Sequence, residues 1–88
     1  MLLNTKKSFD KMYDKLQIRD KDKVDMVLVL FSENPINKRL RNHSVSPKYP
    51  GCRSIDAGFD LRIILKEEKD GYQIVTLIKV GTHSELYD

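Results

Sequence analysis

Residues 72–80, Tyr-Gln-Ile-Val-Thr-Leu-Ile-Lys-Val, are apolar almost throughout and read as an inner strand of a sheet, covered on both sides. The run breaks at Gly81, and Thr82, His83, Ser84, Glu85, Leu86 and Tyr87 follow at once. A buried strand therefore ends where a histidine, a carboxylate and a phenol are offered together. Glycine removes the side chain where a backbone turns or lets another group come close. His83 is one of only two histidines, the residue type suited to proton transfer near neutral pH.

A chain of 88 residues buries about 60 to 65% of its unfolded surface, so one core serves residues 1–88 as a single domain. With 40% hydrophobic and 33% charged residues the composition is that of an ordinary globular protein. No stretch approaches the length of a membrane span, since the best candidate, residues 24–31, is interrupted by Asp25. The start, Met-Leu-Leu followed by charge, lacks the apolar core of a signal peptide, and Cys52 has no partner for an internal disulfide. Both features point to a cytoplasmic location. No ligand pair has zinc spacing, so neither a metal nor another cofactor is expected.

Phe9, Met12, Tyr13 and Leu16 recur at helical spacing, and Asn4 or Thr5 is the expected cap. A second helix over 21–33, capped by Asp20, buries Val24, Val27, Leu28 and Phe31 and stops at Asn34-Pro35. The short connection predicts a helical hairpin. Residues 36–51 read as a loop with an edge pairing near Leu40. Strands follow over 52–57 and 60–66, with Leu61, Ile63 and Leu65 on one face and Arg62 and Ile64 on the other. Gly58-Phe59 is the turn between them, with Phe59 a turn-side core residue, and Lys69-Asp70-Gly71 is the next turn. The expected class is α+β: a two-helix N-terminal hairpin on one face of a small antiparallel sheet, ending in a polar C-terminal tail.

The net charge is +3, but Lys38, Arg39, Arg41, Lys48 and Arg53, with His43 among them, occupy a stretch without one carboxylate. Such a patch suits a polyanion, most simply nucleic acid, or forms a solvated loop.

Five ordered pieces carry a resemblance: Asn34-Pro35, Leu40-Arg41-Asn42-His43, Gly51-Cys52-Arg53-Ser54-Ile55, Asp60-Leu61-Arg62-Ile63-Ile64 and Gly81-Thr82-His83-Ser84-Glu85-Leu86-Tyr87. In this order they resemble the RelE/ParE superfamily of toxins from bacterial toxin-antitoxin pairs, and within it the YafQ-like mRNA interferases. The resemblance implies a RelE-like fold, cleavage of mRNA on the ribosome and silencing by a cognate antitoxin. It implies a site made of His43, Asp60, Arg62, His83 and Tyr87. Three positions depart from the family pattern: Cys52 and Leu61 stand where aromatic residues are common, and Asp56 where relatives often have histidine. The departure at Leu61 would reduce stacking on a substrate base. The family's initial strand is expected to be very short or absent.

Cleavage by internal attack needs a base for the 2′-hydroxyl proton, cations for the charge developing on phosphorus and an acid for the leaving oxygen. His83 is the candidate acid, Arg62 the phosphate grip, and Asp60 or His43 the base. Lys38, Arg39, Arg41, Lys48 and Arg53 are the candidate contacts to message or ribosomal RNA. The same residues have plainer readings: Asp60 and Arg62 as a local ion pair at a turn, Tyr87 as a plug over the core, Cys52 as a small apolar filler. Two rival functions remain open, a gyrase poison of the same fold and a non-enzymatic module that binds nucleic acid or a protein partner.

Overall fold

In the computed structural model, which describes residues 1–87, the apolar run becomes strand β5 (Ile74–Gly81), flanked on both sides by other strands. Strand β1 (Leu2–Thr5) runs parallel to it on one side. On the other side β4 (Arg62–Lys69), β3 (Arg53–Asp56) and the two-residue β2 (His43–Ser44) follow in antiparallel order. Among the described residues the sheet thus has five strands in the order β1-β5-β4-β3-β2.

Asn4 and Thr5 do not cap a helix. They pair with Thr76 and Leu77 of β5, and Lys6 continues the ladder by donating its N–H to the Leu77 carbonyl at 2.9 Å. The local cap preference loses because the open edge of β5 carries a row of unpaired backbone groups, which β1 satisfies. The initial strand is present, and short at four residues. Helix α1 (Lys7–Asp14) then begins without a side-chain cap, and the Ser8 hydroxyl donates to the Ile78 carbonyl at 2.5 Å, fastening the helix to the sheet.

Helix α2 (Ile18–Glu33) starts three residues earlier than expected, with Gln17 in the cap position. Asp20 lies inside its first turn, where a carboxylate faces the positive end of the helix dipole. The two helices form the expected hairpin, tied by a hydrogen bond from the Tyr13 hydroxyl to Asp25 at 2.8 Å. The predicted stripes face inward. Phe9, Val24 and Phe31 are buried, while Met12, Tyr13, Leu16, Val27 and Leu28 pack around them against Ile55, Ile63, Leu65, Val75, Leu77 and Val80. The connection after α2 is better anchored than a loop. The Asn37 side chain accepts the Arg39 N–H at 2.9 Å and caps a 3₁₀ turn, Lys38–Leu40, which drives Leu40 into the core.

The opposite face of the sheet is also covered, by a smaller cluster of Val45, Cys52, Ile64 and Leu86 with Tyr49, Ile78 and Tyr87 around it. Leu86 belongs to a short helix, α3 (His83–Tyr87), which corrects the expectation of a polar tail. Coiling the backbone there brings Leu86 down onto Ile64 and Cys52. Tyr72, expected in β5, sits instead in a 3₁₀ turn, Asp70–Tyr72, with its ring edge-on to Phe31 at 5.6 Å.

Candidate functional site

Strand alternation sends Ile55 and Ile63 into the helix-side core and Asp56 and Arg62 to the other face. Asp56, Arg62 and Gly81 lie in one register row across β3, β4 and β5. There Asp56 bridges two guanidinium groups, with Oδ1 at 3.5 Å from Arg62 Nε and Oδ2 at 3.6 Å from Arg41 Nε. Arg62 also reaches Asp60, Nη1 to Oδ1, at 3.6 Å. That Asp60 oxygen accepts the backbone N–H of His83 at 3.2 Å, joining the β3–β4 turn to the start of α3. These groups border a cleft of about 440 Å³ lined by Arg41, Asp56, Gly58, Phe59, Asp60 and Arg62. Arg41 (φ 50°) and Asp60 (φ 55°) both adopt left-handed backbone, uncommon for residues with a Cβ and found where surrounding contacts hold it.

Helix α3 is begun by a reciprocal capping box. The Thr82 hydroxyl accepts the Glu85 N–H at 3.2 Å, and Glu85 Oε1 accepts the Thr82 N–H at 2.8 Å. A Cβ at Gly81 would stand 3.0 Å from Glu85 Oε1 and 3.2 Å from Met12 Cε, so a side chain there would press on the capping carboxylate and on α1. One turn later the ring of Tyr87 stacks on His83 at 4.8 Å and 29°. Tyr87 in turn meets Tyr49 edge-on at 5.6 Å, and the Tyr49 hydroxyl donates to the Leu86 carbonyl. Tyr49 therefore pins α3 to the 45–52 connection. Burial pushes its phenol above the usual tyrosine range, with Tyr87 nearby adding to the shift. Burial likewise pushes the Cys52 thiol up, which keeps it protonated and suits a filler rather than a nucleophile.

His43 lies exposed on β2, its Nδ1 2.6 Å from the Arg41 carbonyl oxygen. A carbonyl only accepts, so Nδ1 carries the hydrogen and Nε2 is left as an acceptor in the neutral ring. Among the described residues no hydrogen bond joins its side chain to Asp60, Arg62 or His83. Of the basic candidates, Lys38, Arg39 and Lys48 are exposed, and Arg41 opens onto the cleft. Arg53 is half-buried and donates from Nε to Asn42 Oδ1 at 2.6 Å, fastening the connection to β3.

Two expectations change here. Phe59 is not a core residue but is 98% exposed. Leu61 is buried among core side chains, so an aromatic residue at that position would face the interior rather than a substrate base. Sequence reasoning gave no role to Tyr49 or Thr82, noted Asp56 only as a departure from the family pattern, and noted Glu85 only as a carboxylate beside His83. Only Thr82 and Glu85 left a local signal, the Thr-x-x-Glu spacing of a capping box.

Comparison with solved structures gives the same architecture. YafQ of E. coli is similar at 21% identity over 98% of this chain and 97% of that one, with a TM-score of 0.81. The E. coli DinJ-YafQ toxin-antitoxin complex matches at 20% identity, 98% and 96% coverage and a TM-score of 0.79. A metal-bound toxin from Helicobacter pylori matches at 24% identity, 99% of both chains and a TM-score of 0.69. In the present chain no group of three or more His, Cys, Asp or Glu among the described residues is placed to hold a metal. No protein of curated function matches at a significant level. The family model of the YafQ bacterial toxin of type II toxin-antitoxin systems, however, matches residues 1–88, and the chain belongs to that family.

Proposed function

We propose that this toxin is a ribosome-dependent endoribonuclease that cleaves mRNA through attack of a 2′-hydroxyl on the adjacent phosphate. The observation that carries the reading is the position of Asp60, a cleft residue whose carboxylate meets the Arg62 guanidinium and also accepts the backbone N–H of His83. One carboxylate thereby ties a phosphate-binding fork to the backbone of the residue that carries the proton-transferring ring. Asp60, already engaged by two donors, acts as the positioning group, and His43, with Nε2 available, is the base. His43 takes the 2′-hydroxyl proton as the 2′-oxygen bonds to phosphorus. The bond from phosphorus to the 5′-oxygen breaks, and His83 protonates that oxygen, leaving a 2′,3′-cyclic phosphate. Arg62 stabilises the extra charge on the phosphoryl oxygens, and Tyr87 orients the His83 ring by stacking. Lys38, Arg39, Arg41, Lys48 and Arg53 contact message or ribosomal RNA, an attraction that weakens as salt rises. Positioning on the ribosome supplies part of the acceleration.

DinJ-YafQ forms a toxin-antitoxin complex, and by likeness a cognate antitoxin silences this chain. No helix among the described residues is long and apolar enough to cross a membrane, and messages and ribosomes place the activity in the cytoplasm. Induced expression of the wild type and His83→Ala in a bacterial host, with 5′ ends of messages mapped against reading frame, tests the proposal. Growth arrest with in-frame cleavage is expected from the wild type, with cleavage reduced about 10²- to 10⁴-fold in the variant. Arrest that survives the substitution with messages intact would replace the nuclease with a gyrase poison or a binding module.

A further inference from the structure

Phe59 is a bulky apolar side chain left in water at the tip of a turn that is otherwise well held. Gly58 (φ 125°) and Asp60 (φ 55°) give the turn its shape, and Asp60 is anchored to both Arg62 and the His83 N–H. The ring is thus presented from a fixed base rather than from a loose loop. It lines the same cleft as Arg41 and Arg62, whose guanidinium groups are oriented by one oxygen each of Asp56. Asp56 offsets the mutual repulsion of the two cations and holds them side by side. The side chain of Arg41 remains 76% exposed. An isolated exposed aromatic needs no explanation. One that shares a cleft with two positioned guanidinium groups has the composition that binds a nucleotide, a flat apolar face for the base and planar forks for the phosphate.

We propose that Phe59 is the stacking platform of a nucleotide cleft, where one base of single-stranded RNA lies on its ring and the neighbouring phosphate meets Arg41 and Arg62. The proposal rests on the nuclease reading and deepens it by naming what holds the message in the cleft that Asp60 ties to the start of α3. Stacking is tolerant of sequence, because every base has a π face. The platform therefore fixes the path of the strand, and its contribution does not depend strongly on which base is bound.

The chain has no tryptophan, so Phe59→Trp places a single tryptophan at the platform, read selectively by excitation at the red edge where the tyrosines do not absorb. Titration of this variant with a single-stranded oligouridylate is expected to quench the emission saturably. A ribose-phosphate chain lacking bases should quench little. Phe59→Leu should weaken binding of end-labelled oligouridylate, followed by anisotropy, about 5- to 150-fold, while its thermal unfolding stays at the wild-type midpoint. The proposal is overturned if the RNA fails to quench, if Phe59→Leu binds within about twofold of wild type, or if the antitoxin quenches and RNA does not. That last outcome assigns the ring to protein contact. In-frame cleavage by the wild type without quenching would sink this proposal alone. Quenching without cleavage would sink the nuclease reading alone.

Discussion

One face of the sheet is covered by the α1–α2 hairpin, and its buried side chains, Phe9, Val24, Phe31, Ile55, Ile63 and Leu65, are wholly apolar. The other is covered by the 45–52 connection and α3, and places Ile64, Leu86 and Cys52 beside the polar Ser54, Asp56 and Arg62. On the first face, stability comes from area removed from water, and almost any well-packed apolar set would serve. On the second, apolar burial is limited and specific contacts do the holding: Tyr49 to Leu86, Thr82 to Glu85, Asp60 to His83. On the proposed function, this small domain separates what keeps it folded from what it works with, using the two sides of the same strands.

The comparison is broken most forcefully from the helix side. Phe31 is fully buried, and Phe31→Ala should cost about 3 to 5 kcal/mol in urea unfolding, a large share of the stability of a domain this size. Cleavage per folded molecule should persist. A loss below about 1 kcal/mol would mean that the helix face is not the main source of stability.

Tyr49→Phe should do the reverse. Losing one hydrogen bond costs about 0.5 to 1.5 kcal/mol, yet message cleavage should fall by more than the folded fraction does, because α3 carries both His83 and Tyr87. Full activity in the variant would detach the site from this anchor. The same residue makes the second face sensitive to alkali. Its phenol is raised above the ordinary value of 10.0 and the Cys52 thiol above 9.0, each mainly by burial. Between the unfolded and folded values the native state keeps protons that the unfolded chain has released, so these contributions hold below those values and are lost as pH rises through them. Urea midpoints at about pH 8 and about pH 11 should show the decline, and Tyr49→Phe should lessen it.

The smallest effect is expected at Ser54, fully buried with no hydrogen-bond partner for its hydroxyl among the described residues. Ser54→Ala should raise stability by about 0.5 to 1 kcal/mol, seen as a higher thermal midpoint. A lower midpoint would show that the hydroxyl is satisfied in solution.

Much of the first face could be read directly. Apolar spacing in residues 9–16 and 24–31 placed both helices, proline after Asn34 marked the end of α2, and the run before Gly81 marked the central strand. Asp60, Arg62 and His83 were grouped only through the family resemblance, since the bond that joins Asp60 to His83 spans 23 positions. The α3 helix was legible in Thr82 and Glu85 but masked by the polar character of its neighbours. Nothing local distinguishes Phe59 from a buried aromatic, because the direction of a side chain at a turn is set by backbone angles that depend on where the turn is tied down. Asp56 poses the same difficulty, since its partners Arg41 and Arg62 meet it only after β3 and β4 pair and the connection folds back.

The chain itself determined which segments coil and which extend, because hydrophobic period and backbone restriction act over a few residues. Tertiary structure alone decided that Asn4 and Thr5 join a strand, that the short C-terminal helix lies over Ile64, and that Phe59 stands in water beside two arginines. Each of those outcomes turns on groups far apart in sequence, where satisfying an open strand edge, covering an apolar face or anchoring a carboxylate outweighs the modest preferences of neighbouring residues.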